Sequence, residues 1–300
     1  MSCPDCFSGH VHEDATPRGT VTNLHGLNAY VTEPTSTDSP IKGIIVIIPD
    51  AFGWEFVNNR ILADHYADKG GYKVYLPEFM NEVEQERAIL TKHLEQPGHA
   101  APVWSLNTLS SIFKTSSIID WITKPYHIAC AAYAMIPFMY HNKFSTTWPT
   151  VKTFFTAVRQ NEGANLPIAA AGFCWGGLHT VYLAHGKEED KVNGKPLIDA
   201  GFTGHPSNLS IPGDIEKIKI PVSFAMAELD SMVKMSQIKQ IEKALGEGDN
   251  DVGEVKVYYG AGHGFCVRAD VLVKDVRAQA EEAEDQAIGW FQRQFAKVSY

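Results

Sequence analysis

Long apolar runs are missing from this 300-residue sequence. None approaches the roughly 20 apolar residues that a membrane-crossing helix needs, so no membrane partner is expected. Positive charge is also scarce. Lys and Arg number 26 against 35 Asp and Glu, a formal net charge of −9. A surface of that sign does not neutralise phosphates, so no nucleic acid is expected either. The opening MSCPDCFSGHVHED has neither a basic start nor an apolar stretch, which is not the pattern of an export signal. Cysteine is sparse: there are 5, an odd number, and Cys130, Cys174 and Cys266 each stand alone. With no export signal these read as reduced thiols in a cytoplasmic protein. No internal repeat occurs, and the one loose linker, Glu33–Pro40, lies too early to divide domains.

What remains is ordinary for a globular protein, 44% hydrophobic and 20% charged. Apolar runs alternate with longer stretches of helical spacing. Thr20–Tyr30 and the residues before Glu33 read as a strand pair. KGIIVIIP, Lys42–Pro49, is β-branched with no polar alternation, as in a strand buried on both faces. Further strands are expected at Tyr72–Leu76, Leu166–Phe173, Asp199–Thr203, Ile220–Ala227 and Glu254–Tyr259. Helices fit Glu55–Gly70, Gly176–Ala184, Ser231–Leu245 and Ala269–Phe295. This alternation predicts an α/β fold, a mostly parallel sheet with helices on both faces. Residues 81–160 fit less simply. Five prolines interrupt their helical pattern, and a helical excursion over the carboxyl edge of the sheet, within one domain of residues 1–300, is the expected arrangement.

The segment AAAGFCWGGLHT places Cys174 between Gly172 and Gly176. G-x-C-x-G is a strand-to-helix turn with a nucleophile at its apex. The glycines spare the neighbouring strand and helix a collision, and the helix N-terminus favours a thiolate. In this architecture an acid and then a base follow the nucleophile, each at a strand end. Asp230 closes PVSFAMAELD, and His263 lies in EVKVYYGAGHGF. His263 would take the thiol proton, and Asp230 would orient the imidazole.

These pieces resemble the dienelactone hydrolase family of the α/β-hydrolase fold. The matching stretches are IIVIIPDAFG (Ile44–Gly53), GFCWGG (Gly172–Gly177), AELD (Ala227–Asp230) and GHGF (Gly262–Phe265), in family order. The resemblance implies a hydrolase of small esters or lactones. It acts through Cys174, Asp230 and His263 and an acyl-thioester, with no cofactor. It further implies an oxyanion hole made by the backbone N–H groups of Ala51 and Trp175. It also implies a carboxylate that holds the resting thiol, here Asp50, where bacterial members carry glutamate. Members specific for dienelactone bind the substrate carboxylate with two arginines. Arg268 is the candidate for one of them, one residue further along than in the bacterial pattern, whereas Asn81 and Glu82 stand where the second is expected, which argues against a dienelactone as substrate.

Other residues have weaker claims. His205, followed by Pro206, stands at a strand end where it would either touch substrate or shape the loop. Trp104, Trp121, Tyr133, Phe138 and Trp148 would line an apolar acyl pocket or simply belong to the core. Cys3, Cys6, His10 and His12 are ligand types that zinc accepts, but their spacing is shorter than a finger's and no second knuckle follows. The competing account of the whole chain is a hydrolase-like scaffold that binds or senses redox state without turnover.

Overall fold

A computed structural model describes residues 9–12, 16–36, 39–80, 100–106, 118–246 and 252–300. Eight strands form one sheet: β1 (Thr20–Leu24), β2 (Leu27–Thr32), β3 (Ile44–Ile48), β4 (Lys73–Pro77), β5 (Ile168–Phe173), β6 (Ala200–Gly204), β7 (Val222–Ala227) and β8 (Gly253–Tyr258). Their order is β1-β2-β4-β3-β5-β6-β7-β8. The pair β1–β2 is antiparallel, as is β2–β4, and every pairing from β4 to β8 is parallel. The strand IIVII of β3 is buried at all five positions, as its unbroken apolar run requires between two covered faces. Burial of each such side chain contributes roughly 1.5–3 kcal/mol.

The pleat of β6 shows how the helices are divided. Phe202 packs edge-on against Phe291 of α7 (Lys274–Phe295). Its neighbours Gly201 and Thr203 face Thr180 and Gly177 of α4 (Trp175–Ala184) instead. Successive strand residues point to opposite faces, so α7 and α4 cover opposite sides of the sheet. α1 (Val57–Gly70) shares the α7 side, where Tyr66 meets Phe291. It ends as its sequence predicts, on Gly71 in the left-handed region with φ 76°.

Two helices start later than their spacing suggests. α5 begins at Met235, not Ser231, because Asp230 Oδ1 accepts the N–H of Met232 at 2.7 Å and holds the chain in a turn. α7 begins at Lys274, after the short helix α6 (Phe265–Arg268) and a turn in which Asp270 Oδ1 accepts the N–H of Leu272. The 81–160 stretch is also not uniform. α2 (Ile118–His141) and α3 (Phe144–Gln160) follow one another. α3 packs on the main core. Its Val151, Phe154, Phe155 and Val158 lie in the main core, and Phe79, just past β4, stacks on Phe155. Residues 81–99 and 107–117 lie outside the described residues. Among the described helices none is long and apolar enough to cross a membrane.

Because β3 and β5 to β8 run parallel, their carboxyl ends line one edge. Asp50, Cys174, His205, Asp230 and His263 all follow those ends.

Candidate active site

The turn from β5 into α4 is made by Cys174 itself, at φ 50° and ψ −109°. A side chain in that region is strained by about 1–3 kcal/mol, so the surroundings must hold it there. They do so through its backbone. Cys174 N–H donates to Gly204 O at 3.2 Å, and its carbonyl accepts from Gly177 N at 3.1 Å and Ser207 N at 2.9 Å. The glycines are sterically required. A Cβ on Gly172 would strike Thr180 Oγ1 and the Gly176 carbonyl, and a Cβ on Gly176 would strike the Ile48 carbonyl of β3. Close packing of helix on strand therefore puts the sulfur at the sheet edge.

His263 reaches it from the loop after β8. Its Nδ1–H donates to Asp230 Oδ2 at 2.8 Å, with Oδ1 at 3.0 Å. That leaves Nε2 for the hydrogen bond that the imidazole shares with the Cys174 side chain. Neither the Asp230 nor the His263 side chain touches solvent, and Cys174 is 2% exposed. Burial alone would push the imidazole towards its neutral form. The negative charge of a Cys174 thiolate, with the hydrogen bonds to Asp230 and Cys174, outweighs it and holds the His263 pKa well above the usual histidine value. The structure thus brings the three residues together in series.

Asp50 lies beside them at the end of β3. Its Oδ1 accepts from Asn59 Nδ2 at 3.1 Å and from Phe52 N at 3.2 Å, and its Oδ2 pairs with Arg268 Nη1. Burial raises its pKa most and the Cys174 charge adds to that. Arg268 and Asn59 pull the other way without cancelling the rise. Arg268 is therefore not at the surface, and its guanidinium is turned inwards onto a carboxylate of this chain. Ala51 follows Asp50, with its carbonyl bonded to Ala101 N at 2.7 Å. Trp175 is the first residue of α4, where N–H groups have no intrahelical acceptor.

Other expected contacts fall elsewhere. His205 has 0% exposure. Its backbone has φ 39°, and its ring meets the His263 ring edge-on with centroids 5.0 Å apart. Burial first, then the positive charges of His263 and Arg268, drive its pKa well below the usual value, so the ring is neutral. Trp121 and Tyr133 are 61% and 56% exposed, on the outer face of α2. Trp148 stacks on Phe144 against α4, and Phe138 packs on the core. The Trp104 side chain, Cys3 and Cys6 lie outside the described residues, as do Asn81 and Glu82. His12 Nε2 donates to Ala269 O at 3.0 Å, and His10 faces Asp270. Ser207 was not expected. Its Oγ lies 4.0 Å from Cys174 Sγ, and its N–H holds the Cys174 carbonyl. Its place just after the β6 carboxyl end was the available signal. Asn59, one turn into α1, gave none.

The sequence model of the dienelactone hydrolase family matches residues 27–295, nearly the whole chain. The chain belongs to the dienelactone hydrolase family. As a member it is a hydrolase of the ester and lactone type. Relatives along its full length include hydrolase tropI of Talaromyces stipitatus, 27% identical over 97% of this chain and 95% of that protein. The carboxymethylenebutenolidase homolog of Mus musculus is also 27% identical, over 97% of this chain and 96% of its own. Among solved structures, the dienelactone hydrolase from Anabaena variabilis superposes with a TM-score of 0.57 at 13% identity, covering 93% of this chain and 99% of that one. At that identity the likeness concerns the fold, and it is the α/β-hydrolase fold of this family.

Proposed function

We propose that this family member cleaves small carboxylic esters or lactones with Cys174 as nucleophile, His263 as base and Asp230 as orienting acid. The carrying observation is the unbroken series Asp230 to His263 to Cys174, formed inside a nearly solvent-free site. A raised imidazole pKa beside the sulfur favours the thiolate–imidazolium pair, the reactive form of a cysteine.

The sulfur of that thiolate attacks the acyl carbonyl carbon, and the carbonyl π pair moves onto oxygen. The N–H groups of Ala51 and Trp175 receive that oxyanion. Such donors each contribute roughly 3 kcal/mol towards lowering the barrier. The carbonyl re-forms, the alcohol oxygen leaves with its bonding pair, and it takes the proton from His263. A thioester to Cys174 remains. His263, now neutral, removes a proton from water as the water attacks the thioester, and the thiolate leaves to complete the cycle. Asp230 keeps Nδ1 protonated throughout, so that Nε2 always faces the sulfur. Asp50 modulates the sulfur through its charge. Arg268 acts on Asp50 in this state, and substrate reaches Arg268 only if that pair opens. We further read the chain as one domain acting in the reducing cytoplasm, where Cys174 stays reduced.

The test uses p-nitrophenyl acetate. Cys174→Ala should lose at least about 10³-fold in turnover, on the scale of a removed nucleophile, and the wild type should trap an acyl adduct on Cys174 visible by peptide mass. Undiminished turnover by Cys174→Ala overturns the proposal. A reduced, folded wild type with no ester turnover would favour the binding or redox-sensing account instead.

A further inference from the structure

α2 presents to solvent a face that its own sequence makes symmetrical. Ile122, Tyr126, Ala129, Tyr133, Ile136 and Tyr140 are all exposed, the five large ones by 72%, 69%, 56%, 66% and 67% in chain order. Their spacing is 4-3-4-3-4, the repeat of a helix seam that packs on another helix. Ala131, Ala134 and Met135 are buried on the opposite side, so this seam is the outward face of a helix already anchored to the fold.

We propose that this seam docks a second copy of the chain, with the two α2 helices antiparallel about a dyad near Ala129. Read outwards from Ala129, the seam runs Tyr126 then Ile122 in one direction and Tyr133 then Ile136 in the other. A two-fold interface must be complementary to itself, and an antiparallel pair centred on Ala129 sets Ile122 against Ile136 and Tyr126 within one residue of Tyr133. The small residue falls where the two backbones approach most closely. Between Trp121 and His141 the sole Lys, Arg, Asp or Glu is Lys124, so pairing brings little like charge together. Large side chains exposed to this degree offer about 100–150 Å² each, roughly 600 Å² in all. That stands at the top of the roughly 300–600 Å² range for the largest patch of an ordinary monomer and approaches the roughly 800 Å² per partner of a stable interface. A lipid surface fits less well, because the face lacks the lysines and arginines that draw a helix to anionic headgroups.

Sedimentation velocity on the full chain from about 1 to 100 µM tests this. The expected result is a species of twice the 33.1 kDa chain mass. Tyr133→Glu and Ile136→Glu should each weaken dimerisation at least 100-fold, with helix content and melting temperature unchanged. Independently, Ala129→Cys should form a disulfide-linked dimer under mild oxidation that the wild type, with its own cysteines, does not form. Tyr140→Cys should not, since only a parallel pair would bring those positions together. A monomer at 100 µM overturns the proposal, as does a dimer indifferent to both glutamates or one that cross-links through Tyr140→Cys. A monomer that binds phosphatidylcholine vesicles, and loses them on Tyr133→Glu, would give the face to lipid instead. If the glutamate variants fail to fold, the two cysteine variants decide the matter alone.

Discussion

Asp50 and Arg268 form an ion pair between two side chains that touch no solvent, joining positions 218 residues apart in sequence. The pair ties the end of β3 to α6, and it sits within electrostatic reach of Cys174. Taking both charges out of water is costly, and their mutual attraction with the Asn59 and Phe52 hydrogen bonds must offset it.

Removing one partner should therefore cost more than removing both. Asp50→Asn takes the carboxylate away from a buried guanidinium and should lower stability by about 3–5 kcal/mol. Asp50→Asn combined with Arg268→Met should recover at least half of that. Urea denaturation of the two single variants and the double variant gives the coupling directly. Additive losses would mean that the two charges do not depend on each other.

The backbone at Cys174 leads to an unusual stability order. At φ 50° and ψ −109° any Cβ is strained. Cys174→Gly should thus be more stable than Cys174→Ala by about 1 kcal/mol, despite the backbone entropy that glycine loses on folding. Both should be inactive. Equal melting temperatures would show that the turn is relaxed.

His179 makes stability depend on acid. Its Nε2 meets Thr147 Oγ1 at 2.9 Å, and burial lowers its pKa from 6.5 to about 4, with the Trp175 carbonyl opposing only partly. A histidine with a lowered folded pKa binds protons more readily when unfolded. Its contribution is intact above pH 6.5 and is lost as pH falls through the window from 6.5 to about 4. Going from pH 7 to pH 5 should cost about 2 kcal/mol through this residue. His179→Gln should flatten that limb of the stability profile, measured by denaturant titration at each pH. An unchanged slope would assign the acid sensitivity to other groups.

Much of the site was legible along the chain, for local reasons. The run IIVII needs no partner information to be read as a doubly buried strand, and all five residues are buried. Gly172 and Gly176 announced a turn too tight for side chains, and each Cβ would meet a named atom. Asp230 and His263 stood out because each lies just past a segment that reads as a strand. The helix starts were less legible. Ser231 and Ala269 continue a helical spacing, but aspartates at 230 and 270 hold turns that delay the helices to Met235 and Lys274.

Sequence alone determined where the strands lie, which turn carries a thiol, and the chain order of Cys174, Asp230 and His263 at the strand ends. Those features depend on the side-chain period and on steric limits within a few residues. Only the tertiary structure decided which groups pair. Arg268 turns inwards to Asp50, His205 packs edge-on against His263 away from solvent, α3 packs on the main core, and the aromatic face of α2 points outwards. Each of those outcomes depends on what distant chain brings into contact when the sheet closes, and no local pattern encodes the identity of a neighbour two hundred residues away.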